Sequence, residues 1–152
     1  VAAACDLRIA SDDVSFSIPE VELGIPLAWG GIPRLVREIG PTLTKELVMT
    51  CRPFGADEAL AAGFLNRVVA ATDLESAVDD LAESLAARPR VAITATKRHV
   101  NAVTDQMVGT GRSWSDADGL TAALQDSEGK ASRATYMERL AAKKSATGKQ
   151  PQ

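Results

Sequence analysis

The composition of the 152-residue chain changes about halfway along, and this change constrains the fold more than any single motif. Residues 1–70 contain most of the prolines and many of the β-branched residues, which favours short strands and loops around a few helices. Residues 72–144 carry apolar residues at helical spacing almost without interruption. We therefore predict an α/β core over residues 1–71, a helical region over residues 72–144 and a flexible tail over residues 145–152.

Two stretches near the start of the chain alternate polar with apolar residues, the pattern of a half-buried strand. They cover residues 5–10 and 14–18, and the polar turn at residues 11–13 separates them. Because such a turn can join neighbouring strands, the pair could be adjacent in one sheet. Pro19 ends the second strand, since it has no backbone N–H to donate to a sheet.

Apolar periodicity and terminal signals predict a series of helices with one more short strand between them. Gly40 is expected to close the first helix in a left-handed conformation, and Pro41 is tolerated in the first turn of the second. Thr72 and Glu75 have the spacing of a capping box. The predicted helices span residues 30–39, 41–49, 56–62, 72–88, 90–103, 113–125 and 128–144, and the strand spans residues 66–70.

Composition excludes several functional classes. The net charge of −3 has the wrong sign for a dedicated nucleic-acid-binding protein. The longest run without a charged residue covers only residues 23–33, whereas a membrane-spanning helix needs about 20 apolar residues. Two cysteines and one histidine argue against a disulfide framework or a metal site. No secretion signal is visible, so we expect a cytoplasmic protein with reduced thiols.

The most unusual local composition lies around Glu20. This carboxylate follows Pro19 directly and precedes an apolar loop that contains Gly24 and the pair Gly30-Gly31. Nonpolar surroundings favour the protonated form of a carboxylate, which suits proton transfer near neutral pH. Glu20 is therefore the best candidate for a general acid or base. From the spacing alone, the favoured interpretation is that Glu20 is a surface turn residue and that Gly30-Gly31 merely start a helix.

Three groups of residues resemble the enoyl-CoA hydratase/isomerase (crotonase) family. The first is the succession of Ala4-Cys-Asp-Leu-Arg-Ile-Ala10, Ser17-Ile-Pro-Glu-Val-Glu-Leu-Gly-Ile25 and Gly30-Gly-Ile-Pro-Arg-Leu35. The second runs from Leu47 through Asp57-Glu-Ala-Leu-Ala-Ala-Gly63 to Val69. The third comprises Asp126-Ser-Glu-Gly129 and Tyr136-Met-Glu-Arg139, which resemble the family's C-terminal helices. The resemblance covers essentially the whole chain, but only the C-terminal half or slightly more of the family's usual length.

The resemblance implies an α/β fold of repeated ββα units, a crotonase-like superhelix, followed by a helical region that assembles homotrimers or hexamers. It also implies chemistry on acyl-CoA thioesters, with an oxyanion hole of two backbone N–H groups that stabilises an enolate-like state. In the family, both donors and a first catalytic glutamate lie before the position that Val1 matches. Because the chain also opens in mid-pattern without a methionine, we expect it to be N-terminally truncated.

The resemblance assigns one catalytic residue, Glu20, which would give a proton to the thioester α-carbon or remove one. It places the substrate-binding residues in the same loop, and the N–H of Ala28 matches a glycine that helps to hold the catalytic water. Trp29 departs from the family pattern, and we expect it to reshape the acyl pocket or to pack in the core. The predicted substrate-binding residues are Pro19, Gly24, Ile25, Ala28 and Trp29.

Two functional hypotheses follow from these residues. The first is a hydratase or isomerase that acts on acyl-CoA, with coenzyme A as part of the substrate and with no metal or other cofactor. The same scaffold serves several reactions, so the fold and one glutamate do not choose among them. The second hypothesis is a non-catalytic helical assembly module or a degraded paralogue without activity. An in-frame Gly-Gly-Gly and an acidic residue upstream of codon 1 would favour the enzyme.

Overall fold

The computed structural model describes residues 1–113 and 115–147. Its four strands are short and its helices dominate, particularly in the second half of the chain. The strands are β1 (Ile9–Ser11), β2 (Ser15–Phe16), β3 (Phe54–Gly55) and β4 (Arg67–Val69). The helices are α1 (Gly31–Thr50), α2 (Ala56–Ala61), α3 (Leu74–Ala86), α4 (Arg90–Met107), α5 (Asp116–Gln125) and α6 (Ser127–Thr147).

The strands pair differently from the sequence-based expectation. Strands β1 and β2 are not neighbours: β1 pairs in parallel with β4, and β2 pairs antiparallel with β3. The expectation was wrong because the chain returns through α2, which brings β4 alongside β1. The Asn66 amide oxygen accepts the Arg8 N–H at 2.7 Å, and this bond sets the register just before the β1–β4 ladder begins.

Helix α1 consists of two helical segments that meet at a kink. Gly40 has φ 75° and ψ 167° there, and Pro41 follows it. A side chain at Gly40 would be strained by this positive φ, and Pro41 cannot supply the N–H of a continuous helix. The sequence-based break between two helices is therefore confirmed.

The helical second half agrees with the predicted series except at some of its ends. Thr72 and Glu75 form no capping box, because the N-cap of α3 is Asp73, which makes no side-chain capping bond. The Thr72 hydroxyl instead donates a hydrogen bond to the Asp73 carboxylate at 3.0 Å. Helix α6 continues to Thr147, so the predicted tail begins as helix, and residues 148–152 lie outside the described part. Among the described residues, no helix is both long and apolar enough to span a bilayer.

A hydrophobic core joins both sheets to α1. Leu47 of α1 is fully buried, and Leu35 and Val48 lie in the same cluster with residues from the strands and the loop after α2. The rings of Phe16, Phe54 and Phe64 contact one another, with centroids 5.2 to 6.2 Å apart. Such contacts add to simple area burial, so this aromatic triad fixes β2 against β3 beside the loop that contains Glu20.

Arg8 is a buried cation that connects three parts of the chain: its start, α1 and the loop after α2. Its guanidinium donates to the carbonyl oxygens of Cys5, at 2.5 Å, and of Phe64, and it forms an ion pair with Glu38 of α1. The guanidinium also lies 4.8 Å above the Phe64 ring. A buried charge is tolerated only when it is paired and hydrogen-bonded, and Arg8 meets both conditions.

Candidate active site

The segment that contains Glu20 is a single tight turn closed by a glycine. The N–H of Ile25 donates to the carbonyl of Glu20 at 3.0 Å, and the N–H of Gly24 donates to that of Val21 at 2.9 Å. Gly24 adopts the left-handed conformation, with φ 67°. This combination of bonds and handedness is the Schellman motif that ends helices, and a residue with a side chain is strained at the position of Gly24. The motif fixes the backbone of Glu20 just after β2.

One oxygen of the Glu20 carboxylate is buried. Its Oε2 atom is shielded from solvent, and no group in the described ranges donates a hydrogen bond to it. Most buried polar atoms in proteins have a hydrogen-bond partner, because an unpaired one costs free energy. An unpaired carboxylate oxygen at the wall of a cavity is therefore a candidate for contact with a substrate.

Glu20 lines a cavity beside this turn with a volume of about 550 Å³. This size is typical of a small-molecule site. The cavity is mainly apolar and receives its walls from the chain start, β2, β3 and the beginning of α1. Besides Glu20, its lining includes Ala2, Ala3, Phe16, Ile18, Leu27, Ala28, Trp29, Arg34, Leu35, Phe54 and Phe64.

Trp29 and Gly30 occupy two successive left-handed positions before α1. Their φ angles are 58° and 67°, and Trp29 is 69% exposed although it is a large aromatic residue. The guanidinium of Arg34 donates to the carbonyl of Gly30 at 2.9 Å and to that of Trp29 at 3.2 Å. A bulky residue with positive φ is uncommon and costs energy, so the surrounding bonds must hold it in place.

Asp116 of α5 fixes the same loop from the other side. Its Oδ2 atom accepts the N–H of the buried Gly30 at 2.8 Å, across 86 residues of sequence. Asp116 also lines a second cavity, of about 580 Å³, whose walls include Trp29 and Arg34. Trp29, Ala28 and Arg34 therefore line both cavities, one of which also includes Glu20 and the other Asp116.

The structure brings together three of the six predicted site residues. Glu20, Ala28 and Trp29 line the first cavity, and Ala28 is only 3% exposed. Pro19 precedes Glu20, and its carbonyl accepts the N–H of Leu23 at 3.1 Å. Gly24 and Ile25 line a separate cleft of about 320 Å³ against α6.

Sequence reasoning missed the roles of Arg34 and Asp116 at this site. Arg34 belongs to the quoted glycine-rich motif, so its spacing from Gly30, one helical turn, could have indicated a contact. No local signal could have connected Asp116 with Gly30, because only the fold brings them together.

The resolved pKa shifts lie away from this cavity. Hydrogen bonds from the Arg52 guanidinium, at 2.5 and 2.9 Å, lower the pKa of the Glu58 carboxyl below its usual range. The same bonds, together with one from Arg52 to Glu46, raise the pKa of Arg52. Arg52 and Glu58 are half-buried and Glu46 is exposed, and these bonds connect the loop after α1 with both α1 and α2. Within the described ranges, no three residues of the metal-ligating types lie close enough together to hold an ion.

A sequence model of the enoyl-CoA hydratase/isomerase family matches residues 1–145. The chain belongs to this family. It is 38% identical over 101 residues to the short-chain-enoyl-CoA hydratase of Clostridium acetobutylicum, an alignment that covers 66% of this chain and 39% of the relative. It is also 38% identical over 111 residues to the carnitinyl-CoA dehydratase of Proteus mirabilis, covering 73% and 42% of the two chains.

Solved structures place the chain in the crotonase fold. One is methylmalonyl-CoA decarboxylase in complex with 2-nitronate-propionyl-CoA, with a TM-score of 0.76, 27% identity and coverage of 90% of this chain and 53% of the other. The expected α/β crotonase-like fold is thus confirmed. The chain spans about two fifths of the length of the two curated relatives and about half of this structure.

Proposed function

We propose that Glu20 is the acid–base residue of a site that acts on acyl-CoA thioesters. This proposal rests on the Oε2 atom of Glu20. The atom is shielded from solvent and accepts no hydrogen bond from the described residues, and Glu20 lies at the wall of an apolar cavity. Family membership supplies the substrate class. A rigid turn closed at Gly24 supports the proposal, because proton transfer depends on a fixed distance between the carboxylate and the reacting carbon.

The proposed step is a proton transfer at the carbon next to the thioester carbonyl. When Glu20 acts as the base, the α-proton moves to its carboxylate and the electron pair of the C–H bond moves into the enolate, whose charge lies on the carbonyl oxygen. When the protonated carboxyl acts as the acid, the same proton returns to the α-carbon.

We further propose hydration of an enoyl-CoA, or a shift of its double bond, as the overall reaction. Coenzyme A would enter as part of the substrate, and the proposal requires no metal or other cofactor. The names of the relatives include a hydratase and a dehydratase, both consistent with a proton transfer at this carbon. We also propose that the protein is cytoplasmic. Its two free cysteines, Cys5 and Cys51, are consistent with this location, because cytosolic thiols stay reduced.

The test is an assay of the complete gene product with crotonyl-CoA and a series of longer enoyl-CoA thioesters. We expect saturable loss of the conjugated double bond, or its migration, with at least one of them. No turnover with any thioester would contradict the proposed function and would favour a non-catalytic assembly module.

Trp29 is proposed to set the acyl-chain preference, because this exposed residue lines both cavities. We expect Trp29→Ala to change KM about tenfold for long acyl chains and to leave the turnover number nearly constant, which is the pattern of altered ground-state binding. The KM of Trp29→Phe, which retains an aromatic ring, should lie between those of the wild type and of Trp29→Ala. The measurement is steady-state kinetics across acyl chain lengths, and an equal effect on every chain length would contradict this role.

We propose that the protein assembles as a homotrimer or as a dimer of trimers. The support is a large set of exposed apolar side chains on the helical half, which single subunits rarely leave open to solvent. Sedimentation equilibrium of the complete gene product should give three or six times the mass of one subunit, and a monomer at micromolar concentration would overturn the proposal. The exposed residues are Val78, Leu85, Val91, Val100, Val103, Met107, Leu124, Met137 and Leu140.

A further inference from the structure

Two glycines that are distant in sequence make a direct contact between their backbones. Gly24 closes the turn of Glu20, and Gly129 lies in the first turn of α6. A Cβ atom added to Gly24 would overlap the Gly129 backbone, at 2.7 Å from its carbonyl carbon, and one added to Gly129 would lie 2.8 Å from the Gly24 oxygen. Both distances are shorter than ordinary Cβ contacts, so this approach requires glycine on each side.

Gly129 is also held in place by the cap of its own helix. Its N–H donates to the Oδ2 atom of Asp126 at 2.8 Å, the bond by which an N-cap residue satisfies the first turn of a helix. A Cβ on Gly129 would also lie 2.8 Å from the carbonyl oxygen of Ala123 in α5. A side chain at Gly129 would therefore meet both the end of α5 and the Gly24 turn.

On the other side of the contact, Gly24 is coupled to Glu20 by hydrogen bonds. The carbonyl of Glu20 accepts the N–H groups of both Leu23 and Ile25, each at 3.0 Å. A displacement of Gly24 would move these two donors and, through them, the backbone from which the Glu20 side chain extends. Through this contact, a shift of the α5–α6 pair would therefore also shift the Glu20 carboxylate.

From this geometry we infer that Gly129 is a positioning residue, one that fixes the Glu20 carboxylate without touching the substrate. The inference rests on the proposed function of Glu20. Adding one methyl group to Gly129 must separate the two backbones by several tenths of an ångström. A misplacement of a catalytic group on the order of 1 Å lowers the reaction rate about 10²-fold. We expect Gly129→Ala to lower the turnover number by about 10- to 100-fold and to change KM little.

The first experiment compares Gly129→Ala with Gly119→Ala in the complete gene product. Gly119 is a matched control because it lies in α5, where a Cβ would meet only Pro26 at 3.7 Å, an ordinary contact. Val48→Ala, in the core of α1, controls for a general loss of stability. We expect only Gly129→Ala to lower turnover at a temperature at which all three variants are folded by circular dichroism. Wild-type turnover in folded Gly129→Ala, or an equal loss in Val48→Ala, would overturn the inference.

The second experiment is a double-mutant cycle with Glu20→Gln. If Gly129 acts through Glu20, adding Gly129→Ala to Glu20→Gln should not lower turnover further, whereas independent effects would multiply. Multiplied losses would overturn the inference and leave the role of Glu20 intact. Wild-type turnover in Glu20→Gln alone would instead contradict the proposed function, so the two failures are distinguishable.

A milder variant covers the case in which Gly129→Ala does not fold. Asp126→Ala removes the cap of α6 and loosens Gly129 without adding atoms to the contact. We expect a several-fold loss of turnover together with faster amide hydrogen exchange at Leu23 and Ile25, the two donors to Glu20. Unchanged exchange at both amides, with unchanged turnover, would overturn the inference.

Discussion

Replacing Glu20 by glutamine is expected to lower the turnover number of the complete gene product by about 10²- to 10⁴-fold, the usual contribution of a general acid or base. Glutamine retains the shape of the side chain but cannot exchange a proton at neutral pH. KM should change much less, because the lost interaction belongs to the transition state rather than to substrate binding. Steady-state kinetics on the best enoyl-CoA substrate measures both parameters.

Glu22→Gln is the matched control for this variant. Glu22 lies in the same turn, but its side chain is 40% exposed and pairs with Arg139 at 3.0 Å instead of lining the cavity. Exposed ion pairs contribute little, so turnover and stability should both stay close to those of the wild type. A larger loss in Glu22→Gln than in Glu20→Gln would show that the acid–base residue has been misassigned.

The second large effect concerns stability. Arg8→Met should lower the free energy of unfolding by about 3–5 kcal/mol, the range for breaking a buried ion pair from one side. Methionine can fill the apolar part of the space, but it leaves the carboxylate of Glu38 and the carbonyls of Cys5 and Phe64 without their donor. Urea denaturation monitored by circular dichroism measures the loss.

The control for Arg8 is Lys97→Met. Lys97 pairs with Asp6, two residues before Arg8, at 2.5 Å, and the two side chains are 58% and 54% exposed. We expect a cost of less than about 1 kcal/mol, as for other exposed ion pairs. Equal destabilisation by both variants would show that the buried network of Arg8 has no special role.

Local sequence signals predicted the helices well and the strands poorly. Gly40 and Pro41 mark the kink in α1 because both act through their own backbone, which needs no knowledge of the fold. The two-residue strand β3 is too short to show any periodicity, and its partner β2 lies almost 40 residues earlier. The pairing of β1 with β4 depends on the return path through α2, which the alternation pattern does not contain.

In the candidate site, too, residues with local partners could be predicted and those with distant partners could not. Glu20 could be singled out because its turn is local: Pro19 precedes it and Gly24 closes it within five residues. The partners that hold this loop come from the far end of the chain, since Asp116 bonds to Gly30 and Gly129 contacts Gly24. Their roles depend on the packing of α5 and α6, which amphipathic periodicity alone cannot specify.

The most direct test of the account is exchange of the α-hydrogens of a saturated acyl-CoA, such as butyryl-CoA, in deuterated water. This measurement isolates the proton transfer from the rest of the reaction, and mass spectrometry of the thioester follows it with time. We predict exchange catalysed by the wild-type protein and by Glu22→Gln, and a loss of at least about 10²-fold in Glu20→Gln. Exchange at the wild-type rate in Glu20→Gln would contradict the central claim that Glu20 moves the α-proton.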